Sequence, residues 1–378
     1  MTTSSEPLYG TAVLDWIGVF LKEELAPYPG RAAAVGRTVL ACVATMLMVM
    51  IFKLPNGFLA VFYALVLSRE DTRSTVRNGL AIIVGNLLGL VVAIAGIILF
   101  LDYPLIHFLF VIGTFFLAFF LTRTLSNYGG AFGFGIILVA ATSVNIIWAL
   151  PNPLRPDVGI TLWTSFGMML GTLATLLADW TFSPRSTPDD SPSLPSQGLF
   201  VADAFSNLSY QAFALRGCLA ATICYVTWSA LGWPGLGVCT VTCLIAAPPT
   251  TPGSSRQRLT TRLLGLLVGG VICGIGSQIF ILPYADSIVG FTVPFAIVSA
   301  AAAWVAASGP RLAYFGRQMA LAYYLTIFQG WGPGTSLVTS RDRLMGILLG
   351  LLAMWLVFDV VNPRPRRAHV ALDAGAAN

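Results

Sequence analysis

Residues 79–100 read GLAIIVGNLLGLVVAIAGIILF, an uncharged apolar run of the length that a membrane-spanning helix requires. The rest of the chain has the same character: of its 378 residues, 56% are hydrophobic and 10% are charged, and its mean hydropathy is +0.81. Soluble domains carry about 25% charged residues, so this chain lacks the polar surface of a soluble globule. The sequence therefore predicts an all-α polytopic membrane protein in a lipid bilayer.

Twelve apolar segments are separated by turn residues and charges. They cover residues 38–54, 57–68, 79–100, 104–121, 131–150, 158–179, 217–232, 235–248, 263–282, 287–306, 315–331 and 344–361. The second and eighth are short enough to be re-entrant loops or short helices buried inside the bundle. The Lys and Arg residues favour twelve full crossings, because that path leaves all but four of the 21 on one side. This excess marks the cytosolic side, where we expect both termini. The four exceptions are Lys53, Arg155, Arg341 and Arg343.

The two halves of the chain repeat at a spacing of 179 or 180 residues. The matching landmarks are Arg37 and Arg216, Pro55 and Pro234, the pairs Gly85, Gly89 and Gly265, Gly269, the pairs Gly167, Gly171 and Gly346, Gly350, and Asp179 and Asp359. Since each repeat holds six crossings, the halves enter the membrane in the same direction and share an axis along the membrane normal. The glycine pairs are typical of closely packed membrane helices.

This repeat divides the chain into three parts. We predict a first membrane repeat at residues 1–183, a flexible cytosolic linker at 184–199 and a second membrane repeat, with a short basic tail, at 200–378. Each repeat opens with an amphipathic stretch, 13–25 or 199–208, that we predict to be a helix lying on the inner membrane surface.

The chain offers little material for catalysis or metal binding. Its two histidines, His107 and His369, are far apart, and its six cysteines lie in apolar stretches typical of buried packing residues. Cys239 and Cys243 would share a helix face, but the sequence near them holds no further metal ligand. No phosphate-binding loop is present. We therefore expect no enzyme, no cofactor, no metal site and no nucleic-acid partner.

A transporter of organic anions needs fixed positive charge and hydrogen-bond donors beside a path of low dielectric, with aromatic surface for a ring. The candidates for a substrate path are Arg317, Gln318, Tyr323, Tyr324, Gln329, Arg341, Asp342 and Arg343, with Asn86 and Asn145 in the first half. Each has a simpler interpretation. Arg317 also fits an anchor at the inner surface, and the tyrosines and Gln329 also fit ordinary helix packing. Arg341, Asp342 and Arg343 also fit a solvated loop with a local ion pair.

Acidic residues avoid the middle of the predicted segments. All 16 Asp and Glu residues lie at segment ends or in loops, so the sequence does not indicate a proton relay inside the membrane. Asp179 and Asp359 lie at repeat-related inner ends, where each fits either a pair with a nearby arginine or a role in carrying protons. The sequence therefore leaves the energy source of transport open.

Six stretches carry a resemblance to a known family. They are LKEELAPYPGR at 21–31, SRED at 68–71, GLFVADAF at 198–205, YFGRQMALAY at 314–323, FQGWGP at 328–333 and RDRLMGILLG at 341–350. The chain resembles the fusaric acid resistance and aromatic acid exporter family of bacterial inner membranes over about residues 20–363. The resemblance implies a two-repeat membrane domain that exports aromatic carboxylates and related drugs, commonly with a periplasmic adaptor and an outer-membrane channel. Larger members add cytosolic domains, and we expect these 378 residues to be the membrane domain alone.

These observations predict an inner-membrane exporter of aromatic carboxylates or related organic anions, with a second copy of the chain as a further candidate partner. Three alternatives remain open. The first is a channel-like anion facilitator, and the second is a non-transporting scaffold subunit of an efflux assembly. The third is a membrane enzyme, for which Glu70 and Asp71 are the only acidic cluster beside a segment.

Overall fold

The computed structural model describes residues 18–19, 22–68, 72–100, 102–125, 133, 156–182, 200–233, 237–245, 254–309 and 312–360. The helices of the first half are α1 (Arg31–Phe52), α2 (Gly57–Leu67), α3 (Thr72–Phe100), α4 (Pro104–Thr124) and α5 (Pro156–Phe182). Those of the second half are α6 (Leu208–Leu231), α7 (Gly237–Ile245), α8 (Ser254–Gly265, continued by the π-helix Leu266–Ile275 and by Gly276–Phe280), α9 (Ile288–Ala306), α10 (Ala313–Ile327) and α11 (Leu337–Trp355, continued by the π-helix Leu356–Val360). A short 3₁₀-helix, Leu282–Tyr284, follows α8.

The prediction of an all-α, multi-pass membrane protein is confirmed. Within the described residues, seven helices are long and apolar enough to cross a membrane: α1, α3, α4, α5, α6, α8 and α9. Large apolar side chains on their outer faces, such as Leu88, Val91 and Ile98 of α3, are exposed, as a lipid-facing surface requires. Eleven of the twelve predicted segments coincide with helices of the described ranges, and the segment 131–150 lies outside them. The total of twelve crossings remains a prediction.

The second and eighth predicted segments are short helices inside the bundle. α2 has 11 residues, nearly all of them buried, and α7 has 9. At 1.5 Å per residue each is about 13 to 17 Å long, roughly half the thickness of the hydrocarbon core. α2 nevertheless brings the chain back toward the beginning of α1, because the Ser68 and Thr38 hydroxyl oxygens are 2.6 Å apart. This path differs from that of a re-entrant loop, which would return to the end of α1.

Equivalent helices of the two halves pack in equivalent ways. α1 contacts α2 and α5, as α6 contacts α7 and α11. The two halves also contact each other, because α4 packs on α6 and α9 packs on α1. The residues that end the first helices, Lys53 and Gly232, are 179 positions apart, and both adopt a left-handed backbone with φ of 52° and 59°. This agreement in contacts and backbone supports the proposed repeat.

Two glycines at the proposed repeat spacing make similar close contacts. Gly171 of α5 faces the backbone carbonyl of Ala60 in α2 so closely that any side chain would collide with it. Gly350 of α11 faces the carbonyl of Cys239 in α7, where an added Cβ would lie 2.6 Å from the oxygen. Both glycines and both carbonyls are separated by 179 residues. The two glycine pairs to which these residues belong therefore permit close helix approach, as predicted.

The stretch before each repeat's first helix binds the other half. Tyr28 donates a hydrogen bond to the carbonyl of Ala307 at the end of α9 (3.1 Å), and Trp304 of α9 donates to the carbonyl of Leu25 (3.2 Å). In the corresponding place, the amide of Val201 donates to the carbonyl of Thr124 at the end of α4 (2.9 Å). Residues 202–206 form turns rather than the predicted surface helix. These contacts join the two halves at the ends that the sequence predicts to face the cytosol.

Candidate functional site around α10

Helix α10 lies in the middle of the described bundle and contacts α2, α8, α9 and α11. Small residues allow this close packing. An added Cβ at Gly265 of α8 would lie 2.7 Å from the Cβ of Gln318, and one at Gly316 of α10 would lie 2.6 Å from the carbonyl oxygen of Ala302 in α9. A cavity lies on each of two sides of α10.

The first cavity lies where α1 and α10 begin and where α2 and α9 end, and it has a volume of about 310 Å³. We call it the inner cavity because the sequence predicts that this side faces the cytosol. Its polar lining consists of Thr38, Ser68, Ser308 and the predicted site residue Arg317, and its other walls are alanine, valine and leucine. This volume is near the lower end of the range for small-molecule sites. A guanidinium beside hydroxyls and apolar walls suits a small anion with an apolar body.

The central cavity is narrow, with a volume of about 30 Å³. α2, α7, α8, α10 and α11 line it, and its polar side chains are Arg262, Thr242 and the predicted site residue Gln318. The Arg262 side chain donates a hydrogen bond to the hydroxyl of Tyr314 and lies 5.4 Å from the centroid of that ring. A cavity of this size holds water but excludes an aromatic acid. Among the described residues, this side of α10 therefore leaves no space for an aromatic acid.

Arg262 is a site residue that the sequence analysis did not select. It is buried inside the inner end of α8, although it follows two other arginines in a basic stretch that reads as an inner-surface anchor. Its position immediately before the apolar segment 263–282 was the available signal, because an arginine there lies inside the helix bundle or at its mouth.

Tyr323 and Tyr324 belong to the packed core rather than to either cavity lining. Both are fully buried, and their rings lie within 6.3 Å and 5.4 Å of the Phe295 ring of α9. The Tyr324 hydroxyl donates to Ser299 (3.0 Å). Both positions match the packing interpretation, and Tyr324 keeps the one polar partner expected of a buried tyrosine.

Polar side chains close the turn between α10 and α11. α10 ends at Ile327, before the predicted end at 331, because Phe328 adopts an extended backbone (φ −85°, ψ 116°). Gly330, with a φ of 86°, then turns the chain. Gln329 donates to the carbonyl of Ser336 (2.8 Å). Gln278 of α8, which the sequence analysis did not select, donates to the carbonyl of Gly334 (2.7 Å). Gln278 could have been recognised in the sequence as a glutamine within an apolar segment. It holds the turn against α8.

The three charged residues at the start of α11 point in different directions. Arg341 is exposed and donates through Nε and Nη2 to one carboxylate oxygen of Asp342, at 2.9 Å and 2.7 Å. Arg343 instead turns toward α10, where it donates to the carbonyls of Leu325 (2.7 Å) and Phe328. Arg343 thus satisfies carbonyls that the end of a helix leaves unpaired. Arg341 is the exposed member of this group.

The first-half candidates lie away from α10. Asn86 is buried between α3 and α5, where it accepts a hydrogen bond from the Ser165 hydroxyl (2.7 Å). Asn145 lies outside the described residues. Asp179 is buried and pairs with Arg37 at 3.2 Å, so the structure shows the paired arrangement of this carboxylate. Within the described ranges, no three His, Cys, Asp or Glu residues are arranged to hold a metal ion.

Comparisons with known proteins agree with this architecture. Residues 40–178, from α1 to α5, match the family described as fusaric acid resistance protein-like. The match covers only part of the chain, within its first half. Multidrug resistance protein MdtO of Escherichia coli K12, of E. coli O157:H7 and of Shigella flexneri is 33% identical over 190 residues in each case. The aligned region covers 50% of this chain but 27% of each relative. No solved structure matches the chain.

The family match therefore covers the helices that build one side of the inner cavity. Thr38 lies just before the matched region, and Ser68 lies within it. Arg317 and Ser308, which complete the cavity, come from the second half. A ligand in the inner cavity would contact both halves of the chain.

Proposed function

We propose that this protein is a bacterial inner-membrane transporter that exports aromatic carboxylates or related organic anions and drugs. The inner cavity carries the proposal, because it combines the guanidinium of Arg317 with hydroxyls and an apolar wall in about 310 Å³. A carboxylate that leaves water loses several kcal/mol of solvation unless a positive charge compensates it. Arginine can hold a carboxylate through two hydrogen bonds and can also stack on an aromatic ring.

The relatives support an efflux role. The matched proteins are named multidrug resistance proteins, and the match lies in the membrane part of this chain. This chain aligns with 27% of the length of these relatives, so its assembly with other proteins is part of the proposal. The partners that fit it are a periplasmic adaptor, an outer-membrane channel and a second copy of the chain. Transport through this site involves no covalent chemistry, so the proposal includes no enzymatic step and no cofactor.

The narrow central cavity favours a carrier over an open anion channel. The central cavity holds about 30 Å³, which admits water but not an aromatic acid, so it offers the anion no open path. Export would then require the helices around α10 to move, as in alternating access. The exposed Arg341 at the opposite end of the bundle would receive the anion, and its pairing with Asp342 would limit how tightly the anion is retained.

Flux through the purified protein tests this proposal. Proteoliposomes loaded with labelled benzoate, at a pH that keeps it ionised, should release it faster than protein-free vesicles, and the rate should saturate. Benzamide, which has the same shape without the charge, is the matched control and should show no protein-dependent flux. Repeating the assay with and without a pH gradient identifies the energy source. Benzoate release equal to that of empty vesicles in every condition would favour the scaffold alternative.

A further inference from the structure

Three cysteine thiols converge inside the second half of the bundle. Cys224 lies on α6, and Cys239 and Cys243 lie one turn apart on α7. The sulfur atoms of Cys224 and Cys243 are 3.4 Å apart. All three residues are buried. The sequence places two of these thiols on one helix face, and the fold adds the third from the neighbouring helix.

The helical hairpin explains why the thiols meet. α6 ends in the left-handed residue Gly232, the chain turns, and α7 returns along α6. Residues four apart share a helix face, so Cys239 and Cys243 both face Cys224. Other positions of α7, Val238 and Thr242 among them, line the central cavity. α7 therefore carries two of the three thiols and part of the wall of the central cavity.

The geometry is close to that of a disulfide. The two sulfur atoms of a disulfide are about 2.05 Å apart, so those of Cys224 and Cys243 would need to approach by roughly 1.3 Å. The reducing cytosol keeps accessible thiols reduced. These thiols are surrounded by apolar side chains, which favours an oxidant that dissolves in the membrane over one that travels in water.

We infer that Cys224 and Cys243 form a redox modification site that a lipid-soluble quinone converts to a disulfide. Two S–H bonds break and one S–S bond forms. The two electrons and two protons pass to the quinone, which becomes a hydroquinone. A dithiol reductant restores the thiols by exchange.

The disulfide would restrain α7. Cys243 also lies against α11, with its sulfur 3.4 Å from the carbonyl oxygen of Gly350. A bond from Cys243 to Cys224 would tie α7 covalently to α6 while α11 packs on the other side. Since α7 lines the narrow central cavity, opening a path for an anion there requires α7 to move. Oxidation would therefore inhibit transport, a consequence that rests on the proposed function.

Mapping the oxidised protein tests the modification directly. The full chain in proteoliposomes is treated with tetramethylbenzoquinone, which is fully substituted and does not add to thiols. Digestion and mass spectrometry should find the Cys224 peptide joined to the Cys243 peptide. Cys224→Ser should remove the link, and Cys218→Ser, on the same helix, should leave it intact. Unlinked peptides, or a link between Cys224 and Cys239, would overturn the assigned pair.

Flux tests the consequence separately. Quinone treatment should lower saturable benzoate release by roughly fivefold or more, and dithiothreitol should restore it. Cys224→Ser should be insensitive to the quinone, whereas Cys218→Ser should respond like the unaltered protein. A mapped disulfide with unchanged flux would overturn the inhibition. Absent flux in the reduced protein would instead contradict the proposed transport function, and the peptide map would still decide the modification.

Discussion

The buried pair between Arg37 of α1 and Asp179 of α5 gives a quantitative prediction about stability. The side chains are 7% and 2% exposed, and the guanidinium Nε lies 3.2 Å from Oδ1. Asp179→Ala would leave the arginine charged in a low-dielectric interior, and removing one partner of such a pair costs about 3 to 5 kcal/mol. The second carboxylate oxygen, Oδ2, has no hydrogen-bond partner among the described residues, which favours the lower end, about 3 kcal/mol.

Equilibrium unfolding in mixed detergent micelles measures this loss. The double variant Arg37→Met with Asp179→Leu removes both charges and should recover most of the stability, because apolar side chains then fill the site. The Asp179→Asn variant in the flux assay distinguishes a structural role of Asp179 from a role in carrying protons. If the role is structural, the dependence of transport on the pH gradient should not be selectively lost. A loss of unfolding free energy below about 1 kcal/mol in Asp179→Ala would show that the pair behaves like an exposed one.

Three further predictions concern the outer turn, the topology and the repeat. Arg343→Gln should lower the free energy of unfolding by about 1.5 to 3 kcal/mol, because α10 loses charge-assisted hydrogen bonds to its terminal carbonyls; unchanged unfolding would contradict this. In a cysteine-free background, an impermeant thiol reagent added to intact cells should label a cysteine at Thr335 but not one at Ser191, and the reverse pattern would invert the proposed topology. Gly350→Leu should destabilise the bundle strongly, because the added side chain would collide with α7. Gly113→Leu should not, because no atom lies within 4 Å of its added Cβ. Equal stability of the two variants would argue against close packing of α7 on α11.

The positions of the helices were predictable because apolar runs record burial in the bilayer. The short segments 57–68 and 235–248 correspond to the short helices α2 and α7. A helix that is apolar on all sides is typically buried, which explains their place inside the bundle. The spacing of 179 residues also matched the glycines Gly171 and Gly350, each of which faces a backbone carbonyl of a neighbouring short helix. These features follow from local composition and from repetition, which are both visible in the sequence.

The roles of individual polar residues were less predictable because they depend on contacts between distant parts of the chain. Gln329 was selected as a polar group inside a span, but α10 ends before it and it closes a turn. Arg262 was overlooked as a surface charge, although the packing of α8 on α10 places it beside the central cavity. The binding of Tyr28 to Ala307 joins residues that are 279 positions apart, a separation at which periodicity carries no information.

Saturable benzoate flux in proteoliposomes carrying Arg317 variants tests the central claim most directly. If Arg317 compensates the anion in the inner cavity, Arg317→Gln should lower kcat/KM by about tenfold, equivalent to about 1.4 kcal/mol. Arg317→Lys should recover part of this loss, because lysine keeps the charge but loses the planar fork. Arg77→Gln removes an exposed cation of α3 on the same predicted side and should leave kcat/KM unchanged. Undiminished kcat/KM in a correctly folded Arg317→Gln protein, or equal losses in the Arg317→Gln and Arg77→Gln proteins, would contradict an anion site in the inner cavity.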